Sequence, residues 1–298
     1  MPCSIVIPTH NRPSLLREAV ASALAACPDG GEVLVVDDRS STPAEVALDA
    51  ISDARLKIIP SSGSPGICGT RNTGVLAARH PIVTFLDDDD LMLEQHVRRI
   101  LAITDTQPDA HWGFSNAKWH DVSRDAQTTE DLPLGDGPIS ADSPPKHSLG
   151  SAPRGFWIRR DTFMNVGLFD TGWTVDEDTD VSLRLIEKGY APWFSAEPGI
   201  LMRVNRPASG DLGQFTHINS DKAVRAYRQT YERHRSAHAP FSRWRYFLAT
   251  RYLRHAAKGG SAGAAAGYVL RNEPMAPLLL GYLALKTFRY RAASTLAK

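Results

Sequence analysis

The chain has 298 residues, a formal net charge of +1, and 42% hydrophobic and 22% charged residues. That composition excludes disorder, a collagen repeat and a coiled coil as descriptions of the whole, and the length suits one large domain or one domain with an appendage. Cys3, Cys27 and Cys68 lack metal-type spacing and read as reduced thiols of a cytoplasmic protein. Met1-Pro2-Cys3 leads into a strand-like segment rather than a signal peptide. No apolar run reaches the roughly 20 residues of a membrane-spanning helix.

In chain order, Ser4-Ile5-Val6-Ile7-Pro8 is a short apolar run, read as a buried strand. Ser14 to Ala26 has helical spacing, with Ser14 as its N-cap. Glu32 to Val36 is a second strand ending in Asp37-Asp38, Thr42 to Ile51 a weaker helix, and Leu56 to Ile59 a third strand. A Gly/Pro/Ser loop over 63–69 opens a helix from about Thr70 to Arg79, and Pro81 to Leu86 is a fourth strand ending in Asp87-Asp88-Asp89-Asp90. Strands that are apolar throughout and alternate with helices predict an α/β fold, a mostly parallel, doubly wound sheet with helices on both faces. Polar residues gather just past the strand ends, where such sheets bind ligands. No dinucleotide-type G-x-G-x-x-G follows the first strand and no phosphate-loop motif occurs. Residues 121–153 are rich in Asp, Ser, Pro and Gly and read as a long mobile loop, a lid over a site. Structure resumes at Gly155 to Ile158, and a helix runs from Glu177 to Lys188, stopped by Gly189.

The near-zero net charge hides a division. Residues 1–221 hold 19 Lys and Arg against 31 Asp and Glu, whereas 222–298 hold 15 Lys and Arg against only Glu232 and Glu273. The chain thus divides into a body over 1–220 and a basic helical C-terminal extension over 221–298.

Four consecutive carboxylates at 87–90 repel one another, and a divalent cation relieves that cost; oxygen ligands suit Mg2+ or Mn2+. On an extended segment Asp87 and Asp89 fall on one side, Asp88 and Asp90 on the other. The alternative is a solvated acidic turn. Asp37-Asp38 is either a turn or cap pair or a carboxylate for a base N–H or ribose hydroxyl. Arg71-Asn72 is either a surface ion pair or a phosphate or base contact. Asp176 to Asp180 is a second acidic cluster, which the helix dipole alone would favour in a first turn.

In combination these blocks resemble family 2 glycosyltransferases of the GT-A fold over about residues 3–205. Ser4 to Arg12 is similar to the family's opening strand and nucleotide loop, Val35 to Ser41 to its second-strand block, and Pro65 to Gly74 to its G-x-x-x-A-R-N-x-G segment. Phe85 to Asp90 is similar to the F-L-D-x-D-D metal motif, and Val166 to Asp170 and Glu177 to Asp180 to the acceptor-side blocks. The resemblance implies a metal-dependent inverting transfer of a sugar from a nucleotide-diphosphate donor, UDP by default, to an acceptor hydroxyl, with a nucleotide-binding part over about 1–110 and an acceptor part over about 111–220. It implies donor contacts from Pro8, Thr9, Asn11, Arg12, Asp38, Arg71, Asp87 and Asp88, a metal (Mn2+ or Mg2+) on Asp89, and Asp178 as general base beside Glu177 on the acceptor side. Met202-Arg203-Val204-Asn205 stands where members often carry a His-containing segment; His217 is either a substitute ligand or a structural residue. Trp157 and Trp173 either stack on an acceptor sugar or belong to the core.

In the tail, Phe241, Trp244, Phe247, Leu248 and Tyr252 recur among Arg243, Arg245, Arg251, Arg254 and Lys258, and the apolar run Ala276 to Leu285 precedes Lys286, Arg289 and Arg291. Residues 241–291 therefore either meet an anionic membrane surface, at the inner face of the cell membrane with a carbohydrate or lipid-linked acceptor, or pack on the body or on a second copy in a homo-oligomer. Nucleic acid is not an expected partner, because the body is acidic and no reading motif is present. Two other readings compete: a sugar-phosphate nucleotidyltransferase, which needs a basic Gly-rich loop that Pro8 to Pro13 does not supply, and a non-catalytic sugar-nucleotide binder or scaffold.

Overall fold

The computed structural model describes residues 2–204 and 221–275, with Leu279 and Gly281. The chain divides into two compact units, one of residues 1–143 with 148–213 and one of residues 144–147 with 214–298.

The first unit opens with β1 (Cys3–Thr9), α1 (Pro13–Ala26), β2 (Glu32–Asp37), α2 (Ala44–Ala47), β3 (Leu56–Pro60), α3 (Ile67–Ala77) and β4 (Ile82–Phe85). These four strands lie parallel in the order β3-β2-β1-β4, with Ile5 opposite both Val33 and Thr84. Side chains alternate across the sheet. Ile5, Ile7, Val33 and Val35 accordingly pack with Leu16, Ala19, Val20 and Ala23 of α1 in one core, whereas Val6, Leu34 and Val36 pack with Val75 of α3 in another. Helix α1 starts two residues earlier than a Ser14 cap would place it. Pro13 takes the first helical position, where its missing N–H costs nothing, so Ser14 is inside the helix and not its cap.

The rest of the unit is β5 (Leu91–Met92), α4 (His96–Thr106), β6 (Trp112–Asp121), β7 (Ala126–Glu130), β8 (Gly137–Pro138), β9 (Trp157–Arg159), α5 (Arg160–Val166), α6 (Glu177–Glu187) and β10 (Trp193–Val204). β9 pairs antiparallel with β4 and β6 and so joins the two halves of the sheet; β6 and β10 run parallel in the longest ladder. The expectation of a loop over 121–153 fails in part. β7 folds back on β6, pairing Trp119 with Thr128, and β8 pairs with β10. The turn-forming residues of this stretch connect strands whose pairing is set by the neighbouring chain.

At the opposite edge from the strand ends, Glu32 is fully buried at the start of β2. It accepts from Ser4 Oγ (2.7 Å), Arg79 N (2.7 Å), Arg79 Nε (2.8 Å) and Lys57 Nζ (3.1 Å). Burial pushes its pKa up, but these donors outweigh it and hold the carboxyl down at about 2.

The second unit contains α7 (Asp221–His234), α8 (Arg243–Lys258) and α9 (Ala262–Asn272). Leu248 and Tyr252, read from sequence as part of a surface-seeking stripe, are buried, and Tyr252 stacks on Tyr231 with centroids 5.9 Å apart. Phe241 stays 68% exposed. Glu273 is buried and accepts from Tyr231 Oη (2.5 Å) and Arg245 Nε (2.7 Å). Among the described residues no helix is long and apolar enough to cross a membrane.

Because the Glu32 carboxyl is lowered on folding, its stabilisation is present above its unfolded pKa near 4.5 and is lost as pH falls towards 2. Glu32→Gln should cost about 2 kcal/mol at pH 7, the scale of hydrogen bonds to a charged group, and that cost should shrink below pH 4. Urea denaturation of both proteins at each pH measures it.

Candidate active site

Several segments meet at the C-terminal ends of the parallel strands. β4 ends at Phe85, and Leu86 N still bonds Val6 O at 3.1 Å, so the acids that follow leave the sheet beside the end of β1. They do not continue as an extended strand. Asp90 N donates to Asp87 O at 3.1 Å, closing a turn. The turn replaces the expected two-sided alternation, and ligand atoms of Asp87, Asp89 and Asp90 lie within 4.8 Å of one another. Asp88 points elsewhere, accepting from Thr9 Oγ1 (2.8 Å) and Arg12 Nη1 (2.8 Å); the same Arg12 nitrogen reaches Asp89 at 2.9 Å.

The electrostatics follow from that crowding. Burial raises the Asp88 carboxyl to about 6 against the pull of Arg12. Burial, then the charges of Asp89 and Asp87, push Asp90 well above the ordinary carboxylate range. Three close carboxylates, Asp90 raised among them and Asp88 raised beside them, form an oxygen-donor set suited to a divalent cation.

Helix α3 brings the opposing charge. Its approach depends on glycine: a Cβ on Gly69 would overlap the Ser64 carbonyl, and one on Gly74 would overlap the Val6 side chain on β1. Arg71 is 2% exposed and bonds Asp87 (2.7 Å), Glu177 (3.1 Å) and Asp178 (3.4 Å). Burial pulls its pKa down, but these three acids outweigh it and keep it raised. The next residue, Asn72, holds the Phe169 backbone from both sides, donating to its carbonyl at 2.8 Å and accepting from its N–H at 3.0 Å. Asp180 is fully buried and pairs with Arg184 (2.9 Å), whose other nitrogens cap the carbonyls of Val166 and Leu168. The acidic cluster at the start of α6 is thereby anchored by Asp180 and presents Glu177 and Asp178 to Arg71. Burial raises the Asp178 carboxyl to about 7, against Arg71 and with Glu177 and Asp87 adding to it.

On the other flank, Asp38 accepts from Gly66 N at 2.6 Å and pairs with Arg39, whose side chain is 53% exposed. Asn11 is locked to the same loop: its N–H donates to Ser40 Oγ (2.9 Å) and its side-chain oxygen accepts from Ser41 N (2.7 Å). Pro8 and Thr9 end β1 between these groups and the acidic turn.

Not every expected residue comes to this place. Trp157 is 1% exposed, packed under Gly113 in the core, and Trp173 is 3% exposed, so neither offers a ring face for stacking. Apolar packing outweighed the indole's capacity for carbohydrate contact. His217 lies outside the described residues. The residue missed from sequence is Arg203 on β10. Its N–H donates to Asp90 (3.0 Å), its Nε to the Asp89 carbonyl (2.8 Å), and it pairs with Glu18. The only signal was its place in the departing segment Met202 to Asn205.

The architecture is that of the GT-A glycosyltransferases. It is similar to the crystal structure of S. aureus TarS 1-349 in complex with UDP-GlcNAc, with a TM-score of 0.70 over 98% of this chain and 90% of that one at 16% identity. The sequence model described as glycosyl transferase family 2 matches residues 4–167, and the chain belongs to that family. It is therefore a glycosyltransferase. Similar curated relatives are an uncharacterized glycosyltransferase of Haemophilus influenzae, 24% identical over 76% of each chain, and the putative colanic acid biosynthesis glycosyl transferase WcaA of Escherichia coli, 25% identical over 78% of this chain and 81% of that one.

Removing Arg71 leaves three carboxylates around a buried gap. Arg71→Met should lower stability by about 3 kcal/mol at pH 7.5, the scale for breaking a buried pair. The deficit should narrow at pH 5, where a carboxyl titrating near 7 is protonated and needs no counter-charge. Thermal denaturation at the two pH values reads both effects.

Proposed function

We propose that the protein transfers a sugar from a UDP-sugar to an acceptor hydroxyl by a metal-dependent, inverting displacement. The observation that carries this reading is the meeting of Asp87, Asp89 and Asp90 in one turn, with Asp87 tied to Asp178 through the buried Arg71. Pro8, Thr9, Asn11 and Asp38 line the nucleoside side. Asp38 accepts the base N–H by exchanging its pairing with the half-exposed Arg39. Asp89, with Asp87 and Asp90, would hold Mn2+ or Mg2+. When bound, that cation supplies charge neutralisation for the departing diphosphate. Arg12 keeps Asp88 and Asp89 in place, and Arg71 fixes Asp87 relative to Asp178.

Asp178 takes the proton of the acceptor hydroxyl as the oxygen attacks the anomeric carbon; attack opposite the leaving group inverts that centre. A carboxylate titrating near 7 is a better proton acceptor than an ordinary one near 4, and about half of it is ionised at neutral pH. Glu177 adjoins it on the acceptor side. The names of relatives, colanic acid biosynthesis for WcaA and succinoglycan biosynthesis for a Rhizobium meliloti protein, favour a carbohydrate or lipid-linked acceptor in polysaccharide assembly. The basic second unit favours an anionic membrane as the place of work.

The decisive measurement is a thermal-shift series with UDP, GDP, dTDP and CDP, each with and without Mn2+. UDP with Mn2+ should raise the melting temperature; at about 100 times its dissociation constant a ligand adds about 2.7 kcal/mol. Asp89→Ala should abolish the metal-dependent part. A shift with none of the nucleotides, or one indifferent to Mn2+, would overturn the reading.

Once a donor is known, kcat/KM should rise with pH up to an inflection near 7, because protonated Asp178 cannot accept a proton. Asp178→Asn should lower kcat by about 10²–10⁴ and remove that inflection. An acid limb unchanged in the variant would assign the base elsewhere.

A further inference from the structure

We propose that Arg203 is a positioning residue of the metal site: its side chain fixes the backbone of the acidic turn so that Asp87, Asp89 and Asp90 face one divalent cation. The proposal rests on the metal reading given above. It adds to that reading a residue that does not itself bind the cation.

The geometry starts from the pairing of β5 with β10. That ladder sets Leu91 opposite Leu201 and Met92 opposite Ile200. Continued antiparallel, it would set Asp90 opposite Met202 and Asp89 opposite Arg203. The chain turns instead, closed by the bond from Asp90 N to Asp87 O. Arg203 takes over where the ladder stops. Its N–H donates to the Asp90 carboxylate at 3.0 Å and its Nε to the Asp89 carbonyl at 2.8 Å. One residue thus holds the backbone of one acid and the side chain of the next. Its Nη1 pairs with Glu18, which anchors the guanidinium to α1.

The turn is therefore gripped from two sides. Arg12, just ahead of α1, reaches the carboxylates of Asp88 and Asp89, whereas the Arg203 side chain comes from β10 and takes the backbone. Met92 N donates to Ser22 Oγ at 3.0 Å, so the chain leaving the turn is tied to α1 as well. Both arginine side chains are buried. Arginine suits this task because its planar fork offers donors in fixed directions, so one side chain reaches a carbonyl and a carboxylate at once. Its charge acts the other way, since a cation beside the acids repels a metal ion. Positioning and charge thus predict opposite results when the side chain is removed.

The full chain is titrated with Mn2+, alone and with UDP, and the free ion is read by its electron paramagnetic resonance signal. Wild type should retain Mn2+ and Asp89→Ala should not. Arg203→Met should bind Mn2+ about ten-fold or more weakly, the scale for losing a partner that orients metal ligands. Arg203→Lys keeps the charge but not the fork and should fall between the two. Glu32→Gln, which destabilises the other end of the parallel strands, should bind like wild type and so separates positioning from a general loss of stability. Binding unchanged or tighter in Arg203→Met, or weakened equally in Glu32→Gln, would overturn the positioning role and leave the metal reading standing. Unchanged Mn2+ binding with loss of UDP binding in Arg203→Met would assign the residue to the diphosphate and overturn the proposal too. No retention of Mn2+ by wild type, with or without UDP, would overturn both readings.

Discussion

The buried guanidinium of Arg71 is the interaction on which the candidate active site depends. Without it, Asp87, Glu177 and Asp178 would face one another with no compensating charge. With it, two acidic clusters from segments about ninety residues apart in sequence are held in one place. The guanidinium must be carried in by α3 pressed against β1, an approach that Gly74 permits because a side chain there would meet Val6, while Gly69 leaves room for the Ser64 carbonyl of the loop that leads into the helix. The charge cluster and the packing of helix on sheet are thus one constraint seen at two scales.

Behind the acids the core is aromatic. Phe85 contacts Phe156, Phe163 and Phe169 at centroid distances of 6.0, 6.1 and 5.6 Å, and Arg71 lies over the Phe169 ring at 5.4 Å. Through Arg71 this aromatic cluster backs the side of the site that holds Asp87, Glu177 and Asp178. The same rings come from β4, α5 and the segments beside them, so the strand that delivers the acids and the helix that leads to Asp178 share one apolar support.

Local pattern made much of this legible. The apolar run from Ser4 to Pro8 is the centre of β1, Glu32 to Val36 is β2 less one residue, and the helix read from Glu177 to Lys188 is α6 plus its cap. Each is short-range information: an unbroken apolar strand, or an acidic first turn before an amphipathic helix. What could not be read is long-range. β7 looks like loop because its residues are polar, yet it pairs with β6. Trp157 looks like a carbohydrate platform until β9 is seen inside the sheet. Asp90 joins Asp87 and Asp89 only because the chain turns, and Arg203 reaches that turn from a strand more than a hundred residues later. The motif residues were visible; their mutual wiring was not.

The anchoring of Phe169 has a further consequence. Asn72 grips its backbone, Arg184 holds the carbonyls just before it, and α6 begins at Glu177 with Asp180 fixed from within. The seven residues from Asp170 to Asp176 are therefore bracketed by two fixed ends, with the chain turning into α6 through Asp176 at φ of 74°. Within the bracket Trp173 is pinned as well, its ring buried and its carbonyl accepting from Cys68 Sγ at 3.4 Å. The helix that carries Arg71 and the segment that leads into α6 are therefore tied at both residues 68 and 72, so a shift of either would have to carry the other with it.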